Sequence, residues 1–164
     1  MFDEINGLPL HPLAVHATVL LIPLAGLLGV LFATPRTRAW SRLPLLLVSL
    51  GAVASTYVSK ESGQKFETSQ GLALGGPSAE LVNEHAQLAD LLFIIVLIFA
   101  AVVVVTFVLT RGEASRALVS GLSVLLVIGA VALAIQTYRV GEIGARAVWN
   151  PTGNVDYGGS SSTE

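Results

Sequence analysis

Cysteine is absent and methionine occurs once, at the start of the chain, so no disulfide, thiolate-bound zinc, iron–sulfur cluster or covalently attached c-type haem is available. Any metal would have to rest on histidine, carboxylate or that methionine. Charge is equally scarce. Only 12% of the 164 residues are Asp, Glu, Lys or Arg, and the formal net charge is -2. Binding to nucleic acid needs clustered excess Lys and Arg, and that partner class is therefore set aside. The opening Met1-Phe2-Asp3-Glu4 lacks the positive charge of a secretory signal, and no small-residue cleavage pattern follows, so the first apolar segment is expected to stay in place.

In place of charge there is hydrocarbon. Hydrophobic residues make up 53% of the chain, and the mean hydropathy is +0.74. Four stretches, one between Glu4 and Arg36 and the others at 43–59, 91–110 and 117–138, contain no Asp, Glu, Lys or Arg, and they predict spans near residues 12–34, 43–59, 86–110 and 117–138. Each approaches the roughly 17 to 25 residues that cross a hydrocarbon core about 30 Å thick. Runs such as Phe93 to Val105 are apolar all round, unlike a helix with one face in water. The expected fold is all-α, an integral membrane four-helix bundle over residues 1–150, with a disordered Gly- and Ser-rich tail over 151–164.

The loops orient it. Arg36, Arg38 and Arg42 in the first loop and Arg111 and Arg116 in the third belong on the cytoplasmic side. The acidic second loop, from Lys60 to Gln87, and both termini then lie on the extracytoplasmic side. The expected location is the bacterial cytoplasmic membrane, crossed several times. Ala25, Gly29 and Ala33 in the first span, and Gly51, Ser55 and Ser59 in the second, form stripes that let helix backbones approach closely in lipid. The branched aliphatics from Ile94 to Val105 are expected to meet lipid or a second copy of the chain in a homodimer. Ser78 is a candidate cap for the helix leading into the third span, and residues 139–149 read as an interfacial elbow. Each half of the chain reads as a hairpin whose first helix starts at a histidine.

The topology brings all three histidines to one end. At about 1.5 Å per residue, His16 lies about 7 Å deeper than His11, and Asp90 about as far below His85. A spacing of five residues turns an ideal helix by about 140°, so His11 and His16 face one centre together only where Pro9 and Pro12 leave His11 as a cap or loop residue free to turn inward. Asp90, an acid within the first turns of a span, calls for a partner, with His16, His85 and Arg139 as the candidates, or else for protonation. Ser55, Thr56, Ser59, Gln136 and Thr137 lie at the same level.

The run His11-Pro12-Leu13-Ala14-Val15-His16, the later His85, and the closing Tyr138-Arg139-Val140-Gly141-Glu142-Ile143-Gly144 resemble the four-helix bacterial membrane family labelled domain of unknown function 2231, actinobacterial members above all. The resemblance reaches about Trp149. Relatives joined to Rieske-type iron–sulfur domains imply a redox setting for the group.

Two readings follow. In the first, a haem b is held by His16 and His85 with Arg139 or Lys60 near its propionates, and the chain passes electrons to a redox partner protein. A variant of it places copper or zinc among His11, His16, His85 and Asp90. In the second, no cofactor is bound, and the same polar groups fix helix register in a structural or accessory subunit. A proton or solute pathway is disfavoured because the other halves of the spans lack ionisable residues. No nucleophile paired with a base appears, so the chain is not expected to be an enzyme.

Overall fold

The computed structural model describes residues 4–5, 8–70 and 77–154. A two-residue ladder opens it, with Glu4 opposite Pro9 and Ile5 opposite Leu8 in antiparallel strands β1 (Glu4–Ile5) and β2 (Leu8–Pro9). Four long helices follow: α1 (Leu10–Ala33), α2 (Arg38–Gln70), α3 (Pro77–Leu109) and α4 (Arg116–Trp149). All four are long and apolar enough to cross a membrane, as expected. Helix α1 packs on α2 and α4, and so does α3, which leaves α1 and α3 on opposite corners of the bundle. An even number of crossings returns both termini to one end, here the terminal end. The opposite, basic end carries Arg36, Arg38, Arg42, Arg111 and Arg116.

The helices outrun the spans that hydropathy marks. α2, α3 and α4 contain 33, 33 and 34 residues. Helices of that length reach about 50 Å, well beyond a hydrocarbon core of about 30 Å. Lys60 to Gln70 therefore continues α2 instead of forming a loop, and residues 139–149 continue α4 instead of forming an elbow. Hydropathy reports only the immersed part of a helix, while Lys, Glu, Gln and Arg propagate helix well in water. In the extension of α4, Arg146 pairs with Glu142 one turn earlier at 2.7 Å. α3 opens at Pro77, a residue suited to a helix's first turn, and not after a cap at Ser78. Residues 155–164 of the tail lie outside the described residues.

Close approach organises the middle of the bundle. Phe99 of α3 is almost fully buried and fills the gap between Gly29 of α1 and Gly129 of α4. A methyl group at Gly129 would fall 2.6 Å from the Phe99 ring, and one at Gly29 3.1 Å from it. One turn away from Gly29, Gly26 lies against Ala130 of α4. The small-residue stripe of α1 is thus a contact face, as its spacing implies. Ile22, Leu28 and Phe32 of α1, Leu45 of α2, Val103 of α3 and Leu126 of α4 complete the core. Ile94, Ile98 and Val105 point outward, away from the core of the bundle.

At the basic end, arginines satisfy carbonyls that helix termini leave open. Arg38 donates to Phe32 O and Ala33 O at 3.2 Å each, capping α1. Arg42 donates to Thr110 O just past α3 and lies 5.8 Å from the Phe107 ring. Arg111 approaches the same ring at 4.5 Å. Ser115 caps α4 by accepting from the Leu118 amide at 3.3 Å.

Replacing Gly129 with Val is expected to displace Phe99 and lower stability in detergent by about 1–3 kcal/mol. Gly121→Ala, which adds a methyl group into open space, should shift the melting midpoint little, and thermal unfolding of the two variants compares them.

Candidate functional site

The terminal end of the bundle contains two matching constructions, one in each hairpin. His11 stands in the first turn of α1, and its Nδ1 donates to the Ser59 carbonyl of α2 at 2.9 Å. His85 stands in α3, and its Nδ1 donates to the Val140 carbonyl of α4 at 3.0 Å. In both cases the residue four positions beyond the acceptor is glycine. A methyl group at Gly63 would lie 2.9 Å from His11 Cε1, and one at Gly144 3.0 Å from His85 Cε1.

The glycines explain how a helical carbonyl accepts a second bond. A helical side chain leans over the turn preceding its own Cα, so residue i+4 ordinarily screens the carbonyl of residue i. Glycine leaves that oxygen uncovered, and the imidazole occupies the vacated space. Because a carbonyl can only accept, each bond puts the proton on Nδ1 and makes Nε2 the basic nitrogen of the ring. Both rings are partly buried.

Further polar ties lie nearby. Thr18 and Ser59 share a buried hydroxyl–hydroxyl bond of 2.8 Å between α1 and α2. Gln136, also buried, donates to Leu88 O at 2.9 Å between α4 and α3. Ser62 approaches His11 Nδ1 at 3.5 Å while donating to Val58 O at 2.7 Å. Thr137 Oγ1 is buried with no partner among the described residues.

The other candidates from the sequence separate from this pair. His16 is exposed on α1, and its Nδ1 bonds the Pro12 carbonyl of its own helix. Of two histidines that do not both face one centre, His11 is the one tied to a neighbouring helix. Asp90 pairs with none of His16, His85 or Arg139. Its partner is Lys60 at 3.0 Å, on an exposed seam between α2 and α3 where Lys60 also lies over the Phe93 ring. The antiparallel register that brings Arg42 to Thr110 at the basic end brings Lys60 to Asp90 at this one. Arg139 reaches Gln136 Oε1 at 3.5 Å. Among the described residues no three of His, Asp and Glu gather as a metal ion would require, so the four-residue copper or zinc set is not assembled.

Gly63 and Gly144 make the room that the two rings occupy, a role that their sequence context alone does not assign. What the sequence does show is that both stand where the spans that follow a histidine-bearing helix reach the terminal end. Replacing either with Val should force the ring off its carbonyl and lower stability by about 1–3 kcal/mol. Gly141→Ala, at a position with nothing nearby, is the control for thermal unfolding.

The family model for a predicted membrane protein, DUF2231, matches residues 7–156. No curated protein and no solved structure matches the chain.

Proposed function

We propose that the chain, which belongs to the predicted membrane protein family DUF2231, is an electron-transfer subunit of the bacterial cytoplasmic membrane that holds a haem b through His11 and His85. The observation that carries this reading is the duplicated Nδ1–H to carbonyl bond, at 2.9 Å and 3.0 Å. Imidazoles that ligate metals almost always donate their other nitrogen to a carbonyl or carboxylate, which fixes the tautomer and raises the basicity of the ligating atom. Here the two rings come from opposite corners of one bundle, at one end of it.

The donor set suits haem better than a bare ion. Two imidazoles are enough for the axial positions of haem, whereas zinc and copper sites draw on three or more protein ligands. When bound, haem supplies one-electron chemistry. The chain's own residues would set its surroundings: Ser59 and Val140 orient the rings, and Gly63 and Gly144 make room for them. The terminal end faces outward by the distribution of Arg between loops, so exchange with a redox partner takes place on that side.

A second reading is favoured by the interhelical ties themselves. His11 to Ser59, Thr18 to Ser59, His85 to Val140 and Gln136 to Leu88 stitch each hairpin without any cofactor, and such bonds fix register in a structural subunit. An optical spectrum of detergent-purified protein, oxidised and then dithionite-reduced, separates the two. Haem binding predicts Soret and α bands that disappear in His11→Ala and His85→Ala and persist in His16→Ala. A spectrum without those bands, together with a lowered melting temperature in the first two variants, supports the cofactor-free subunit.

A further inference from the structure

At the basic end, an open groove of about 230 Å³ runs between the end of α1 and the start of α4, lined by Ala33, Ser123, Val124, Val127 and Ile128. Ser123 turns its hydroxyl back to Val119 O at 2.8 Å, so the groove presents hydrocarbon throughout. Two arginines flank its lining residues along the chain, on the side of the basic end. Arg36 lies three residues beyond Ala33, in the turn that ends α1. Arg116 opens α4 two helical turns before Ser123 and therefore on the same face.

These two differ from the other arginines of that end. Arg38 and Arg42 are occupied by carbonyls, and Arg111 by the Phe107 ring. Arg36 and Arg116 are exposed, and among the described residues neither side chain makes a hydrogen bond, an ion pair or a ring contact. No acid on α1 or α4 near the groove answers their charge, since Glu113 in the loop is the only carboxylate between Glu84 and Glu142 apart from Asp90 at the far end. An apolar channel in the bilayer ending in two unanswered guanidinium groups matches one kind of molecule, an acyl chain carrying a phosphate. Basic pockets between transmembrane helices recognise anionic headgroups on this principle, and guanidinium forms paired bonds to phosphate oxygens.

We propose that the α1–α4 groove is a binding site for an anionic phospholipid, with one acyl chain against Val124, Val127 and Ile128 and the headgroup phosphate held by Arg36 and Arg116. The site is independent of any cofactor, because it lies at the opposite end of the bundle from His11 and His85. It would make the stability of the protein depend on the charge of the surrounding leaflet.

Native mass spectrometry of the full chain, with phosphatidylglycerol and phosphatidylcholine of identical acyl chains in competition, reads this directly. Phosphatidylglycerol should be retained about tenfold or more in preference. The double variant Arg36→Gln/Arg116→Gln should lose that preference and retain both lipids alike. Val124→Trp, which fills the groove from its exposed side, should reduce retention of phosphatidylglycerol with both arginines in place. Equal retention of the two lipids by the unaltered chain would overturn the proposal. So would a preference that survives the double variant, or displacement of the lipid by soluble glycerol phosphate, which would leave the groove no part in binding.

Discussion

An imidazole can tie two helices together here only because the acceptor carbonyl is uncovered, and that depends on a glycine one turn further along the partner helix. In lipid, apolar side chains gain nothing by leaving the hydrocarbon solvent for each other, so a bundle is held by close packing and by polar ties of this kind. The same arrangement occurs twice, at His11 over Gly63 and at His85 over Gly144. Each hairpin is thereby fastened at its terminal end before the two hairpins meet across Phe99. The bond also settles which nitrogen of each ring is basic, which is why a packing device and a ligand site can be one structure.

The bundle divides its work along its axis. Histidine, serine, threonine and glutamine connect neighbouring helices at the terminal end. The middle relies on shape, with Phe99 seated against Gly29 and Gly129. Arginines close the basic end by satisfying the last carbonyls of α1 and the turn after α3. The Lys60–Asp90 pair lies outside this scheme, on an exposed seam where an ion pair contributes at most about 1 kcal/mol. Its service is to neutralise two charges that would otherwise meet the interface singly.

Much of this was legible in the chain. Charge-free runs marked four crossings because lipid excludes charge, and their even number placed the histidine-bearing ends together. The five-residue spacing of His11 and His16 set them on different faces of an ideal helix, with Pro9 and Pro12 leaving His11 free to turn inward. Which of them turns inward was not legible, because it depends on the rotation of α1 within the bundle, set by Thr18 against α2 and by Gly29 against α3 and α4. The partner of Asp90 was missed for a related reason: the α2–α3 register is fixed at the far end, around Arg42 and Thr110, and no local pattern near Asp90 reveals it. The lengths of α2, α3 and α4 were underestimated because hydropathy falls silent where a helix leaves the membrane.

The uncovered-carbonyl tie predicts a definite protonation pattern, and nitrogen NMR of histidine-labelled protein reads it most directly. With His16 replaced by Gln to simplify the spectrum, and the sample reduced so that any haem iron is low-spin and diamagnetic, two imidazoles remain. Both should carry their proton on Nδ1 at neutral pH, in slow exchange with water. A ring at position 11 or 85 protonated on Nε2 alone would have no proton to give its carbonyl, and the account of both the fold and the site would fail.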